Sequence, residues 1–558
     1  MPCLADAGFS VLVFLLDDMR LDQLPVLEAT NARLADHAVV FDQAYVTIPM
    51  CCPERASFLS GGFLPQHTGV LTNEAPRGGF TVFPDADTLA THLQAAGYAT
   101  ALSGKYLNGY EDTYVPPGWT DWAAVAEGDP WTDFSISAGS STPDAPGVAA
   151  PLDVSGYVTD WQAAAASRFI EDHAEAPFFV YVSFRSPHDP HEPAPEDVGT
   201  FAGVQYRGGA WQEADMSDKP AWMQELPVWS TKEVTTQDAV NEERLETLLS
   251  VDRAIVSVMD TLEAQGRLDD TVVVITSDNG QQWGEHRLSA KGVGYQESVH
   301  MPLVVWNPSL TPRHSSALVA ANLDLAATIT ELAGLDPRGE GQSLVGPLCD
   351  DAAAGRDFVP LQGWPYTEPT WAGVVTDKWK YLESATGERE LYDLQADPVE
   401  AESVAGDAAN EATIAALAAD LETVRGLAVT STLLPQATAG ATYDEALTAW
   451  GGTPPYAWDV SAGALPEGVH LDASGRLSGT PTGAANAAFT LEVYDSSASP
   501  YDGRPQHDQR QFLLEVRKGE AEAAPEACGC GGGTGGAMVL GALSGAWATR
   551  RRRTAGRG

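Results

Sequence analysis

Short apolar segments alternate with helical patterns along the first two-thirds of the chain. Runs of mostly apolar residues predict buried strands at residues 11–16, 98–102, 178–184, 271–276 and 303–306. Between these runs, apolar positions recur at helical spacing in residues 87–96, 159–173, 241–265 and 323–334. Near-continuous apolar strands separated by helices are typical of parallel sheets that are covered on both faces. The pattern therefore predicts an α/β domain over residues 1–355, with a doubly wound, mostly parallel sheet.

The pattern changes after about residue 356. Residues 371–382 and 390–394 predict antiparallel strands, and residues 410–425 predict a helix. A smaller α+β subdomain is therefore expected at residues 356–427. Residues 428–517 are rich in Gly, Pro and Thr and contain short alternating segments, which predict a β-sandwich.

The sandwich region carries the segments Tyr456-Ala457-Trp458 and Leu477-Ser478-Gly479-Thr480-Pro481-Thr482. These segments resemble bacterial Ig-like repeats, and the resemblance implies an Ig-like module. We expect it to act as a spacer that buries Trp458, with ligand binding as the alternative.

The C-terminal residues combine a linker with a distinctive tail. Residues 518–536 form a linker that contains Cys528 and Cys530, and residues 537–558 join an apolar run to four consecutive arginines. The apolar run is shorter than the about 20 residues that a transmembrane helix needs. An apolar tail with an Arg cluster resembles the C-terminal sorting signals of myxobacterial cell-surface proteins. A disordered Gly- and Arg-rich tail is the alternative.

The net charge and the cysteine content limit which binding partners and which cellular location are expected for this protein. The formal charge of the 558-residue chain is −45 at pH 7, which repels nucleic acid, so no nucleic-acid partner is expected. Six cysteines do not make a disulfide framework for a chain of this length. The apolar run at residues 9–16 lacks a basic n-region and is interpreted as the first core strand, so a signal peptide is expected to be missing through a miscalled start. We expect a secreted or cell-surface-anchored protein whose only membrane contact is its tail.

The segment Cys51-Cys52-Pro53-Glu54-Arg55 carries the most specific chemistry of the chain. Pro53 suits the first turn of a helix, so Cys51 would lie at a helix N-terminus, where backbone amides and the helix dipole favour an anion. The alternatives for Cys51 are a buried structural thiol, a reactive thiol of lowered pKa and a disulfide partner.

The spacing Cys-x-Pro-x-Arg before Leu59-Ser60-Gly61 resembles the signature of the type I sulfatases. The resemblance implies that a formylglycine-generating enzyme converts Cys51 to formylglycine, whose hydrate is the nucleophile. It also implies that Arg55 polarises this nucleophile.

Oxygen-bearing side chains follow two of the predicted strands. Asp17 and Asp18 come directly after residues 11–16, and Asp278 and Asn279 follow residues 271–276. Because catalytic side chains in such sheets gather at the carboxyl ends of the strands, these four can converge. Hard oxygen ligands suit Ca²⁺ or Mg²⁺, whereas helix caps and turns are the alternative role. The sulfatase resemblance implies this metal site, completed by the modified Cys51.

Two of only seven lysines lie in segments that resemble sulfatase motifs. In Gly104-Lys105-Tyr106-Leu107-Asn108, Lys105 is implied to contact the sulfate, and Asn108 can donate to a sulfate oxygen. Lys291 belongs to the second lysine segment of the family. His188, in Ser186-Pro187-His188, is implied to bind or protonate the leaving oxygen. A histidine that relatives carry near Asn108 is missing here.

His286 and His300 are further candidates for substrate binding. His286 lies in the loop before Lys291, where a packing role is the alternative, and His300 stands where relatives usually have arginine. Two other departures from the sulfatase pattern are Glu54, where serine is common, and Gly62, where a cation is common. Loss of that cation is expected to weaken the packing or the anion field of the helix.

The motifs cover residues 9–427 in family order and imply a sulfuric ester hydrolase. The segments at residues 105–108 and 115–119 resemble the N-acetylglucosamine-6-sulfatase branch, which implies sulfated glycans as substrates. One alternative is a phosphodiesterase or phosphonate monoester hydrolase of the same superfamily. The other is a non-catalytic cell-surface protein that binds glycans.

Overall fold

A ten-stranded sheet organises the larger part of the protein. The computed structural model describes residues 3–4, 8–110, 113–125, 128, 130–336, 338–350, 352–364, 370–431 and 433–518. In chain order the strands of this sheet are Ser10–Leu16 (β1), Ala38–Tyr45 (β2), Ala99–Gly104 (β3), Asp121–Val125 (β4), Thr132–Gly139 (β5), Ala150–Tyr157 (β6), Phe178–Ser183 (β7), Thr271–Ser277 (β8), Leu303–Trp306 (β9) and Arg313–Ala320 (β10). Their order across the sheet is β10-β2-β9-β8-β1-β7-β3-β4-β5-β6.

The centre of the sheet is parallel and covered on both faces. β8, β1, β7, β3 and β4 run in one direction. Alternate residues of β1 enter two separate apolar cores, Val11 and Val13 on one face and Leu12 and Phe14 on the other. This arrangement confirms the predicted doubly wound α/β architecture, because apolar residues on both faces need a layer of helices on each side.

The flanks of the sheet differ from the prediction. β9 runs antiparallel between β8 and β2, and β5 and β6 extend the other edge as antiparallel strands. The apolar pattern did not reveal β2, β4, β5, β6 or β10. β6 shows why, since most of its residues are exposed and no apolar run marks it.

The helices of this domain lie between the strands as expected. The α-helices are Glu28–Leu34, Cys51–Leu59, Pro65–Thr68, Leu89–Ala95, Val158–Asp172, Ala221–Gln224, Thr231–Ala264, Gln296–Val299, Ala321–Leu332 and Val345–Cys349, and a 3₁₀ helix spans Leu21–Val26. The helix Thr231–Ala264 begins well before the predicted residue 241. Its start is set by a capping box, in which Ser230 and Glu233 exchange side-chain-to-backbone hydrogen bonds. Its first turns are exposed and polar, so hydrophobic spacing does not detect them.

The α+β subdomain is a four-stranded antiparallel sheet covered by a helix. Its strands are Val359–Gly363, Trp371–Val375, Trp379–Ser384 and Arg389–Asp393, and the helix Glu411–Glu422 follows the 3₁₀ turn Ala408–Asn410. The single strand predicted at residues 371–382 is wrong, because a turn at Thr376 divides it into two paired strands.

The Ig-like module is built from short strands, as its turn-rich sequence predicts. Its strands pair antiparallel, except for one parallel pair between Ala437–Thr438 and Val516–Arg517. Its strands are Ala428–Val429, Ala437–Thr438, Tyr443–Ala446, Ala449–Trp450, Ala457–Gly463, Val469–Leu471, Arg476–Gly479, Ala487–Tyr494, His507–Leu514 and Val516–Arg517. Trp458 is buried in its core beside Phe489 and Leu491. The domain boundaries stay predictions, and the linker and sorting tail at residues 519–558 lie outside the described residues.

A disulfide joins two distant parts of the chain. Cys3 and Cys349 are bonded across 346 positions, a pair to which nothing in the sequence pattern pointed. Cys51 and Cys52 are instead buried thiols, so the disulfide alternative for Cys51 is wrong. Among the described residues, no helix combines the length and apolarity that crossing a membrane requires.

Candidate active site

The oxygen-bearing side chains meet at the carboxyl edge of the sheet. β1 and β8 are parallel neighbours in register, with Leu16 beside Ser277, so the residues after each strand emerge together. The backbone amide of Asp18 donates to Asp278 Oδ1 at 3.0 Å, and Asn279 Nδ2 donates to Asp18 Oδ1 at 2.5 Å. Asp17 is equally buried beside them. The structure thus brings the four predicted metal ligands into one cluster.

The helix Cys51–Leu59 aims its first residue at this cluster. Met50 before it is extended, and Pro53 occupies the first turn, where its missing N–H costs no helical hydrogen bond. The Cys51 thiol donates to Asp17 Oδ1 at 3.5 Å and is 1% exposed. The predicted nucleophile position therefore lies at the helix N-terminus and against the predicted metal ligands.

Arg55 links the helix to the carboxylates one turn further on. Its guanidinium donates to Asp278 Oδ2 through Nε at 2.9 Å and lies 3.7 Å from Asp17 Oδ2. It also donates to the Ser183 hydroxyl at 2.5 Å. Arg55 and Asp278 are both inaccessible to solvent, so removal of either one would leave the other charge buried and unpaired.

The two lysines reach the cluster from opposite sides. Lys105 Nζ lies 2.6 Å from Asp17 Oδ2, and Lys291 Nζ pairs with Asp18 and lies 2.9 Å from Cys51 Sγ. Burial alone would raise the pKa of Asp17, but Lys105 and the other nearby cations outweigh it and hold that pKa well below its usual range. Both carboxylates are therefore ionised and ready to bind a cation.

The oxygen donors of this cluster fit a hard divalent cation, while a thiol and an imidazole lie within the same reach. Ligand atoms of Asp17, Asp18, Cys51 and His188 all lie within 4.8 Å of one another. Asn279 Oδ1 is buried and has no hydrogen-bond partner among the described residues. A buried amide oxygen without a hydrogen-bond partner, on a residue whose amide nitrogen donates to Asp18, is what an oxygen-ligated metal would satisfy.

The surroundings of Cys51 do not activate it as a thiol. Burial raises the pKa of the Cys51 thiol well above its ordinary value, although Lys105 and Lys291 act in the opposite direction. The thiol therefore stays protonated at neutral pH, and the alternative of a reactive thiol with lowered pKa is wrong.

A cavity of about 220 Å³ opens beside this cluster. Its described lining includes Asp17, Lys105, Tyr106, Leu107, Asn108, Tyr110, Arg185, His188 and Asp189. His188 Nε2 lies 3.9 Å from Asp18 Oδ2, and its Nδ1 lies 2.8 Å from the backbone oxygen of Asp189. Asn108 faces the cavity while its side-chain oxygen accepts from Cys52 Sγ at 3.1 Å. His188 and Asn108 thus both line the cavity beside the cluster.

His286 and His300 are placed elsewhere, and neither is among the described residues that line this cavity. His286 is fully buried, its Nδ1 is 2.6 Å from Glu213 Oε2, and its ring packs on Tyr295. His300 stacks on Tyr45, and burial lowers its pKa to about 4. By position both are packing residues, because the ring of each is already in contact with a neighbouring tyrosine ring.

Glu54 and Gly62 acquire structural explanations. Glu54 is 3% exposed, and burial raises its pKa well above the usual range, which disfavours a negative charge at this position of the helix. Gly62 has φ +96°, and a Cβ there would lie 2.8 Å from the backbone oxygen of Leu323. A side chain at Gly62 is therefore strained. The effect of the missing cation on the packing or the anion field of the helix stays a prediction.

Two residues near the cluster escaped the sequence reasoning. Arg185 lines the cavity with its guanidinium 5.1 Å from the Trp131 ring, and its position just after β7 was the available signal. Asn73 Oδ1 accepts from the backbone amide of Cys52 at 2.9 Å, so it caps the Cys51 helix from a distant loop. No local motif marks Asn73.

The α+β subdomain supports the loop that carries Lys291. Trp371 Nε1 donates to the backbone oxygen of Gly292 at 2.8 Å, and Lys380 Nζ donates to that of Gly294 at 2.9 Å. Lys380 also pairs with Glu400 at 2.6 Å, with both side chains inaccessible to solvent. The subdomain therefore fixes one side of the active site.

Comparison with known families agrees with this geometry. The sulfatase family model matches residues 10–335, which is more than half of the chain, so the chain belongs to the sulfatase family. A model of the C-terminal region of N-sulphoglucosamine sulphohydrolase matches residues 284–426, and one of an Ig domain matches residues 426–504.

Individual relatives share the same regions. The extracellular sulfatase SULF-1 homolog of Drosophila melanogaster is 28% identical over 64% of this chain and 32% of its own length. N-acetylglucosamine-6-sulfatase of Capra hircus is 29% identical over 58% of this chain and 60% of its own length. The chain thus spans less than two-thirds of either relative. A solved structure, described as a complex with its substrate D-glucosamine-2-N,6-O-disulfate, matches with a TM-score of 0.64 at 22% identity over 75% of this chain and 98% of that chain, which confirms the fold.

Proposed function

We propose that this protein hydrolyses sulfate esters at the Cys51 cluster. The observation that carries the proposal is the position of Cys51, at a helix N-terminus, 2.9 Å from the Lys291 ammonium and against the Asp17 carboxylate. A residue so placed can attack an anionic ester whose charge is balanced by Lys105 and Lys291.

The proposal assigns a covalent modification and a metal to this cluster. Formylglycine at Cys51, made by a formylglycine-generating enzyme, supplies a hydroxyl nucleophile that the protonated thiol does not offer. Ca²⁺, or Mg²⁺, held by Asp17, Asp18, Asp278 and Asn279, supplies Lewis-acid polarisation. The fit of the donor set, with its orphaned Asn279 oxygen, supports the metal.

The side chains of this chain would then perform distinct tasks. Lys105, Lys291 and Asn108 neutralise or donate to the sulfuryl oxygens as negative charge develops. Arg55 holds Asp278 in place through the buried ion pair and keeps the helix docked. His188, which faces the cavity, protonates the departing alcohol oxygen.

The proposed substrate is a sulfated glycan. One relative is named for N-acetylglucosamine 6-sulfate, and the fold neighbour is described with a disulfated glucosamine, which supports a sulfated amino sugar. An extracellular location is also proposed, supported by the extracellular relative and by the Cys3–Cys349 disulfide, since disulfides persist in oxidising compartments.

The test combines chemistry of the Cys51 peptide with turnover. The full chain, coexpressed with a formylglycine-generating enzyme, is analysed by mass spectrometry and assayed with an aryl sulfate, glucosamine 6-sulfate and an aryl phosphodiester. We expect conversion of Cys51 and faster turnover of the sulfates, while Cys51→Ala abolishes turnover and Cys52→Ser retains conversion. Converted protein that hydrolyses only the phosphodiester would support the phosphodiesterase alternative. Converted, metal-loaded protein with no turnover would overturn the enzymatic proposal.

A further inference from the structure

The Ig-like domain is packed against the segment that follows the Cys51 helix. The Tyr501 hydroxyl lies 2.8 Å from the backbone oxygen of Pro84 and 2.7 Å from that of Asp87, and the Tyr501 ring is 5.0 Å from the Phe63 ring. The Ser499 hydroxyl donates to the backbone oxygen of His67 at 2.8 Å. The domain therefore contacts the α/β domain through specific polar and aromatic contacts, unlike a spacer on a flexible tether.

A buried ion pair lies within this interface. Arg77 Nε is 2.8 Å from Asp508 Oδ1, and the Asp508 side chain is only 2% exposed. The other oxygen of Asp508 accepts from the backbone amide of Val429 at 2.8 Å. Asp508 belongs to the strand His507–Leu514, so the Ig-like sheet itself fixes its position. The ion pair therefore links the Ig-like sheet to Arg77, and removal of Arg77 would leave the buried Asp508 carboxylate without this counter-charge.

Arg77 in turn closes the loop that caps the catalytic helix. Its backbone oxygen accepts from the amides of Leu71 at 2.7 Å and Thr72 at 3.1 Å. Asn73, which follows Thr72 in this loop, accepts a hydrogen bond from the Cys52 amide. Met50, the residue before the helix, has no polar side chain that could cap the helix instead of Asn73. The first turn of the Cys51 helix therefore depends on a loop that Arg77 holds closed.

The same loop also supports the opposite wall of the site. The Phe80 amide donates to the backbone oxygen of Asn108 at 2.8 Å, directly after the loop ends. The backbone amide of Asn108 lies 2.9 Å from Cys52 Sγ. Contacts thus run without interruption from the Ig-like sheet through residues 71–80 to Cys52, in the first turn of the Cys51 helix, and to Asn108.

We propose that the Ig-like domain is an integral part of the catalytic unit, and that Asp508 and Arg77 are positioning residues that hold the loop 71–79 against the Cys51 helix. The inference rests on the proposed sulfatase function. When the ion pair is broken, the catalytic groups stay present but lose their alignment. Since small misplacements in an active site cost up to about 100-fold in rate, kcat is expected to fall while KM changes little.

The test uses the full chain with Cys51 converted and Ca²⁺ present. Asp508→Asn and Arg77→Met are compared with Asp444→Asn, which removes a carboxylate of the exposed Asp444–Arg476 pair in the same domain. We expect kcat on an aryl sulfate, normalised to converted Cys51, to fall about 10- to 100-fold in the first two variants and to stay at the parent value in Asp444→Asn.

Hydrogen exchange separates this inference from the proposed function. Amides of residues 71–79 and of the first turn of the Cys51 helix should exchange faster in Asp508→Asn at a temperature where the rest of the chain stays protected. That readout holds even if the parent protein hydrolyses no sulfate. Arg77→Met, which breaks the same ion pair from the side of the loop, serves if Asp508→Asn does not fold, and it should produce the same effects. Parent-like exchange and parent-like kcat in the folded variants would overturn the proposal.

Discussion

Lys291 Nζ lies 2.9 Å from Cys51 Sγ, although 240 positions separate the two residues in the chain. The same ammonium pairs with Asp18, so it touches both the predicted nucleophile position and a predicted metal ligand. A cation in that place can stabilise an anionic transition state, because it is already oriented and largely shielded from water.

Replacing Lys291 with Met should therefore lower kcat on an aryl sulfate by about 10²- to 10³-fold, the usual effect of losing one preorganised donor. Lys232→Met is the matched control, since Lys232 lies on the exposed start of the helix Thr231–Ala264. Steady-state kinetics on fully converted protein provide the measurement. Equal kcat values for the two variants would remove Lys291 from the catalytic set.

Replacing Arg55 with Met should lower the free energy of unfolding of the protein, in addition to any effect on activity. It leaves Asp278 buried without its cation, and breaking a buried pair from one side costs roughly 3–5 kcal/mol in the free energy of unfolding. Because a bound cation would also compensate Asp278, Ca²⁺ should restore part of this loss. Denaturant unfolding with and without Ca²⁺ measures both effects; a Ca²⁺-independent loss would separate Arg55 from the metal site.

Ca²⁺ should raise the Tm of the parent protein, because a ligand that binds only the folded state stabilises it. Asp18→Ala and Asn279→Ala should lose most of this rise, whereas Asp42→Asn, at an exposed pair with His314, should retain it. Thermal scans after chelation and titration with Ca²⁺ or Mg²⁺ provide the measurement. A full Ca²⁺ response in Asn279→Ala would exclude its orphaned oxygen as a ligand.

Stability should fall between pH 4.5 and pH 7 in part because of Glu297. Burial, and then the neighbouring charge of Glu285, raise the pKa of Glu297 from 4.5 to about 7. The folded state therefore binds this proton more tightly than the unfolded state, so the contribution is complete below pH 4.5 and is lost as the pH rises through about 7. Glu297→Gln should flatten this part of the profile, while the exposed Glu331→Gln should not. Unfolding free energies of the parent and both variants, measured between pH 4.5 and pH 7, test this expectation. An unchanged profile in Glu297→Gln would contradict it.

Removal of the Cys3–Cys349 disulfide should lower the free energy of unfolding by about 2–5 kcal/mol. Cys349→Ser and the double variant with Cys3→Ser should behave alike, because either one removes the same bond. Peptide mapping under non-reducing conditions checks the pairing, and denaturant unfolding checks the effect. A double variant that is clearly less stable than the single one would point to separate roles for the two cysteines.

Much of the fold could be predicted from the sequence, because buried segments consist mainly of apolar residues. β1, β7 and β8 are buried on both faces, so each appears in the sequence as an apolar run. β6 is mostly exposed, and the turn at Thr376 breaks an otherwise continuous strand pattern, so both were missed. The local hydrophobic pattern therefore predicts buried segments. It does not predict an exposed element whose position is set mainly by contacts with neighbouring elements.

At the active site, too, some features could be predicted from the sequence and others only from the tertiary structure. The sequence by itself predicted which residues would carry the chemistry, because Cys51, Arg55, Asp17, Asp278, Lys105 and Lys291 each lie in a segment that resembles a sulfatase motif or directly after a buried strand. Only the tertiary structure decided that His286 and His300 pack away from the cavity, that Asn73 caps the helix, and that the Ig-like domain reaches this loop through Asp508. Those relationships join residues that are far apart in the chain, and their geometry follows from how separate elements pack, which no local spacing encodes.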